Sequence, residues 1–240
     1  MHRLLVFDLD GTLAKVGKSM ENADVEKLVE LEKMGYTIAI CSGKPSYYLC
    51  GFARQLGLQE PILIGENGAT FQFGIELPPQ KYAVYPYSEK AKLQRERMKR
   101  LIDEKFGEAI WYQPNEVGLS PFPMDEEIFE SLQQLINENM EQLDEMLIYR
   151  HIDCFDIIPR NINKHNGVNY LANLLELEAK DVIAVGDGVN DIPMFAFVDV
   201  AIGIIEEDVE ERDNAAEELG VDYTFTSIGQ VLEFIMSDKL

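Results

Sequence analysis

The sequence predicts an α/β fold: a doubly wound, mostly parallel sheet flanked by helices, with a small α+β unit inserted into it. Short apolar runs alternate with segments of helical period at both ends of the chain, the pattern of parallel strands joined by crossover helices. Between those ends the texture changes to long charged helices, each followed by a pair of strand-like pieces. The 240 residues suffice for a core with a modest second lobe, and a hydrophobic content of 46% excludes wholesale disorder.

Taken in order, Leu4 to Phe7 reads as a short buried strand running into acidic residues and Gly11. Val25, Leu28, Val29 and Leu31 form a stripe at helical spacing that Gly35 stops, and Tyr36 to Cys41 is a second buried strand. A helix over Ser46 to Leu56 ends at Gly57, before a strand at Pro61 to Ile64. The alternation resumes late in the chain: Val168 to Leu175 is helical in period, and Val182 to Val185 and Val198 to Ile202 read as strands. Pro78, Pro79 and Pro86 punctuate a boundary between the two textures. After it come a charged helix at Glu89 to Phe106, two strand pieces in Ile110 to Phe122 parted near Asn115-Glu116, an amphipathic helix at Asp125 to Leu143 and a strand pair in Met146 to Ile158. A helix-strand-strand unit used twice argues for an α+β insertion over residues 81–160, leaving 1–80 and 161–240 as the core.

The 21 basic residues against 43 acidic ones give a formal net charge of −22. Such a surface repels polyphosphate backbones and anionic membranes, so neither nucleic acid nor membrane is an expected partner. Cys41, Cys50 and Cys154 are too few and too scattered for a disulfide framework or a zinc knuckle, and they suit a reducing, cytoplasmic setting as small buried hydrophobes. The apolar run of Met1 to Phe7 is too short for a signal sequence, and no apolar stretch approaches the roughly 20 residues that span a bilayer. His2, His151 and His165 form no triad or zinc spacing.

Four segments carry candidate chemistry. Asp8-Leu9-Asp10-Gly11-Thr12 follows the first strand; in extended chain its two carboxylates face one side, at the strand end where ligands of open parallel sheets bind. Taken alone, it is also compatible with a turn capped by Asp. Ser42-Gly43-Lys44 follows the second strand and offers a hydroxyl and free amides to an anion, although Ser-Gly is also ordinary loop chemistry. Gly186-Asp187-Gly188-Val189-Asn190-Asp191 again puts acidic oxygens at a strand end; hard oxygen ligands suit magnesium, and the same residues suit a glycine-rich turn. Lys164, just ahead of the helix feeding that strand, could supply positive charge to phosphate or remain a solvated surface lysine.

In this order and spacing the four segments resemble the motifs of the haloacid dehalogenase (HAD) superfamily of phosphatases: DLDGT the first, Ser42-Gly43 the second, Lys164 the third and GDGVND the fourth. Gly65 to Ala69 (GENGA) and the spacing of Lys164 and Gly167 resemble the Cof-type, class IIB branch, which carries its cap between the second and third motifs. The resemblance implies a Rossmann-like HAD core with an α+β cap, and a Mg2+-dependent phosphatase acting on a small phosphorylated metabolite, with sugar phosphates the favoured class. It implies Asp8 as nucleophile and Asp10 as general acid/base. Mg2+ would be held by Asp8, the Asp10 backbone carbonyl and Asp187, with Asp191 ligating or orienting the metal's waters. Lys164, Ser42 and the amides of Gly43 and Leu9 would receive the phosphate, and Asn190 would join that site by orienting Lys164 or the loop.

Two positions depart from the family pattern. Lys44 stands where arginine is frequent, and Ile202-Gly203-Ile204-Ile205 runs into the acidic Glu206 to Glu211 where many relatives have Gly-Asn. A phosphosugar mutase resembling phosphomannomutases is the nearest alternative, and a non-catalytic phosphate-binding module a more distant one. Asn115, Glu116, Arg150 and His151 lie where cap residues could meet a substrate, and ordinary surface polarity explains each equally well.

Overall fold

Leu4–Phe7 forms β1, fully buried, in the computed structural model, which describes residues 4–205 and 209–237, with backbone alone at 209–213. His2 and the start of the acidic run, Glu206 to Asp208, lie outside the described residues. The chain divides into two compact units, one made of Met1–Ala83 and Asn163–Leu240, the other of Val84–Ile162.

In the first unit β1 is followed by α1 (Asn22–Lys33), β2 (Thr37–Cys41), α2 (Ser46–Leu56), β3 (Ile62–Gly65), β4 (Thr70–Phe73) and β5 (Lys81–Val84). After the inserted residues come α5 (Lys164–Leu174), β10 (Val182–Gly186), α6 (Ile192–Phe195), β11 (Val200–Ile204), α7 (Val209–Leu219), β12 (Tyr223–Phe225) and α8 (Ile228–Met236). The sheet runs in the order β12-β11-β10-β1-β2-β3-β4-β5. Every pair from β12 to β3 is parallel, and β4 turns back antiparallel on β3. The chain winds one way from β1 to β2 and β3, and the other way through β10 to β12. The switch between the two directions falls at β1 and β10, where open α/β sheets bind their ligands. Leu5, Phe7, Ile38, Ile40, Ile183 and Val185 are buried in the core, which α1 and α8 help to cover.

Several elements differ from the sequence expectation for local physical reasons. The antiparallel β4 and the edge strand β12 are short and carry no strong pattern. α8 follows β12 closely, with Gly229 near its start. The strand expected at Val198 to Ile202 lies at Val200–Ile204, in register with β10 through Ile183 opposite Val200. The α5 helix begins four residues earlier than its apolar period suggests, because Asn163 caps it, its side chain accepting from the Asn166 amide at 2.9 Å.

The second unit holds α3 (Glu89–Phe106), β6 (Ile110–Gln113), β7 (Ser120–Pro123), α4 (Glu126–Glu138), β8 (Met146–Arg150) and β9 (Phe155–Pro159). Ser88 and Asp125 cap the two helices, accepting from the Ala91 and Ile128 amides. The expected helix at Asp125 to Leu143 stops at Glu138 and is followed by one 3₁₀ turn, because the Asn139 side chain donates to the Leu135 carbonyl (2.8 Å) and competes with the helical ladder. Two antiparallel hairpins, β6-β7 and β8-β9, are joined by a bridge between Leu119 and Ile157. Helices α3 and α4 bury Met98, Ile102, Phe129 and Leu132 with Phe155 and Ile157 of β9.

Candidate active site

The parallel register brings the carboxyl ends of β1, β2, β3 and β10 to one edge of the sheet. Asp8 follows β1 directly, and its amide donates to the Val185 carbonyl (2.9 Å), so the ends of β1 and β10 are tied together. Lys164, the first residue of α5, is 1% exposed, with Nζ 2.5 Å from Asp8 Oδ1 and 2.5 Å from Asp191 Oδ1. The second oxygen of Asp191 accepts from the Asp187 and Gly188 amides at 3.0 and 3.2 Å. Asp187 in turn accepts from Thr12 Oγ1 (3.0 Å), which locks the first motif to the fourth.

Two glycines make this convergence possible. Gly11 has φ +95°, and a Cβ there would lie 2.1 Å from Asp187 Oδ2. A Cβ on Gly167 would lie 2.5 Å from the Gly68 Cα. The Glu66-Asn67-Gly68 turn, all three residues at positive φ, thereby packs its backbone on the first turn of α5, which carries Lys164. The GENGA segment and the Lys-x-x-Gly spacing are therefore two halves of one contact.

Electrostatics follow from this burial. Desolvation pushes the Asp8 carboxyl up to about 7, with Lys164 pulling it back and Asp191 and Asp187 adding to the rise. Burial also raises Asp187, against the Thr12 hydrogen bond. Lys164 is held above its ordinary value: burial works to lower it, but Asp8 and Asp191 together outweigh that effect. Cys41, fully enclosed beneath the site, is pushed up to about 12 by burial and is an inert neutral thiol.

Asp8, Asp187 and Asp191 each offer a carboxylate oxygen, all within 4.8 Å of one another. Three carboxylates against the one ammonium of Lys164 leave an excess of negative charge in a mostly buried site. An all-oxygen donor set of this kind fits a hard divalent cation.

The Asp10 carboxylate stands apart from that trio. The chain turns at Leu9 rather than continuing extended, so alternation does not aim Asp10 beside Asp8. Its Oδ2 faces Lys44 Nζ at 3.6 Å instead. Lys44, the departure from the family pattern, thus balances the second carboxylate of the first motif. Ser42 is buried at the end of β2, where its Oγ accepts from the Lys44 amide (3.2 Å), and Gly43 lies against the Asn67 side-chain amide. Leu9 is buried. Of the two roles expected for Asn190, orienting Lys164 or the loop, the contacts at the lysine are made by Asp191 and Asp8, and Asn190 is exposed. Its side chain lies against its own loop, near Gly188. Thr12 is the residue that motif reading passes over; its place in DLDGT was its only signal.

A switch-point carboxylate paired with a buried lysine thus stands where open α/β sheets bind their ligands. Residues 5–117 and 80–219 match the family model of the haloacid dehalogenase-like hydrolases, and the chain belongs to that family. Its phosphoglycolate phosphatase relative from Nitrosopumilus maritimus is 25% identical over 215 residues, covering 88% of this chain and 87% of the relative. Among solved structures, a haloacid dehalogenase-like hydrolase from Bacteroides thetaiotaomicron superposes with a TM-score of 0.76 at 15% identity, covering 98% of this chain and all of that one. A HAD subclass IIB sugar phosphatase does so with a TM-score of 0.66 at 17% identity, covering 98% of this chain and 99% of that one. The chain is thus a phosphatase of the haloacid dehalogenase-like hydrolase family. No helix among the described residues is long and apolar enough to cross a membrane.

Proposed function

We propose that this phosphatase hydrolyses a small phosphorylated metabolite, foremost a sugar phosphate, through an aspartyl-phosphate on Asp8. The observation that carries the reading is the buried Asp8–Lys164–Asp191 array, 2.5 Å at each link, at the switch point of the sheet. The sugar class is suggested by the likeness to the subclass IIB sugar phosphatase. The phosphoglycolate phosphatase relative makes a phosphorylated hydroxy acid the second class to assay.

Asp8 attacks phosphorus, and the bond from phosphorus to the leaving oxygen breaks. Asp10 gives its proton to that oxygen, then takes one from the water that cleaves the acyl phosphate and frees inorganic phosphate. Lys164 offsets charge on the phosphoryl oxygens, while Ser42 Oγ and the Gly43 and Leu9 amides donate to them. Asn190 lines the same phosphate site from its loop. Asp8, Asp187 and the Asp10 carbonyl would hold Mg2+, with Asp191 ligating it or orienting its waters, and the ion would supply charge compensation between the nucleophile and the incoming dianion. The inserted residues 81–160 serve as a cap that selects the substrate, within a cytoplasmic enzyme.

The test is a panel of phosphorylated metabolites assayed with Mg2+ for wild type and Asp8→Asn. Wild type should release free phosphate, and the variant should lose more than about 10³-fold in kcat. Full hydrolysis by Asp8→Asn removes the nucleophile assignment. An isomerised sugar phosphate in place of free phosphate makes the protein a mutase.

A further inference from the structure

The second unit brings together three side chains that the phosphatase reading does not use. His151 and Cys154 flank the tip of the β8-β9 hairpin, and the His151 amide donates to the Cys154 carbonyl at 2.9 Å. The strand register pairs Arg150 with Phe155 and Tyr149 with Asp156, so the next pair outward is His151 with Cys154. Opposed residues of an antiparallel pair share a face, and residues two apart on one strand share it too. His151, Cys154 and Asp156 therefore project from one face, opposite to the one on which Phe155 and Ile157 join the core of the unit. One imidazole nitrogen, the thiol sulfur and one carboxylate oxygen lie within 4.8 Å of one another.

The carboxylate is held in place from behind. Asp156 Oδ1 accepts from Ser120 Oγ (2.5 Å), Ser120 Oγ accepts from the Asn115 side-chain amide (2.9 Å), and Asn115 Oδ1 accepts from Gln113 (2.8 Å). Asp156 Oδ2 is left facing His151 Nε2 at 3.1 Å. Such outer partners orient a ligand before the metal arrives. Cys154 is buried at the floor, while the His151 side chain is 48% exposed and leaves a way in from solvent.

We propose that His151, Cys154 and Asp156 form a second metal site, for a borderline-soft divalent ion of the Zn2+ or Co2+ kind. Sulfur and nitrogen donors select such ions over Mg2+, which the all-oxygen trio of the first unit suits. Three protein ligands leave a fourth position for water or an added ligand. On binding, the thiol proton leaves to solvent and the thiolate sulfur coordinates the ion.

Co2+ alone is the probe. Full-length protein in excess Mg2+ is titrated with Co2+ and followed by its absorption spectrum. One equivalent should bind with a thiolate-to-cobalt charge-transfer band, present equally in Asp8→Asn, so the outcome is independent of the phosphatase mechanism. Cys154→Ser should abolish the band. His151→Gln, an exposed substitution, should weaken binding more than about tenfold, and Ser120→Ala, which removes no ligand, by about tenfold. A wild type without the band, or a band undiminished in either Cys154→Ser or His151→Gln, overturns the proposal.

Discussion

Lys164 of the first unit sits 1% exposed between Asp8 and Asp191, while Lys99 and Asp103 of the second unit meet at 2.6 Å with 41% and 44% of their side chains in water. The contact distances are alike and the surroundings are not. Water screens the second pair and competes for it, so it contributes little. Nothing replaces the first pair if one partner is lost. The contrast extends to metal chemistry, with oxygen donors gathered at the sheet edge of one unit and nitrogen, sulfur and oxygen at a hairpin tip of the other. Proximity of charges in this protein is therefore informative only together with burial.

Lys164→Met sharpens the comparison most. It leaves Asp8 and Asp191 buried without a cation and should cost about 3–5 kcal/mol in denaturant unfolding of the metal-free protein. Lys99→Met should cost less than about 1 kcal/mol by the same measurement. Equal losses would break the comparison.

Gly167→Ala comes next. The added Cβ would lie 2.5 Å from the Gly68 backbone, so α5 and the Glu66-Asn67-Gly68 turn must part. A loss of about 1–3 kcal/mol is expected, with a fall in kcat of about 10²-fold as Lys164 moves. Gly51→Ala in α2, where a Cβ meets nothing within 4 Å, should instead stabilise by about 0.5–1 kcal/mol without changing turnover.

The remaining effect is a pH dependence. Because burial raises Asp8 from 3.8 to about 7, the folded protein retains a proton that the unfolded chain has released. Stability contributed at this position is full below pH 3.8 and is lost as pH rises towards 7. Metal-free wild type should therefore lose melting temperature relative to Asp8→Asn between pH 5 and 7.5, an effect read by calorimetry. A difference that does not change across that range would mean Asp8 is ionised throughout.

Much of the frame was legible in the sequence because it rests on local patterns. The run Leu4 to Phe7, the Ser46 to Leu56 helix ending at Gly57 and the Glu89 to Phe106 helix are written in periodicity and stop residues, and all three appear with those bounds. The motif residues were legible as residue types at strand ends. Their pairings were not. That Asp191 grips Lys164, that Thr12 holds Asp187 and that Lys44 answers Asp10 depend on contacts between segments as much as 175 residues apart.

The sequence by itself determined the alternation of strands and helices and which polar residues stand at strand ends, since periodicity and turn chemistry act over a few neighbouring residues. Only the tertiary structure decided which charges are buried together, because desolvation depends on everything packed around a group. The same holds for His151, Cys154 and Asp156, whose spacing matches no zinc pattern. It was the hairpin register, set by pairing across two strands, that put them on one face.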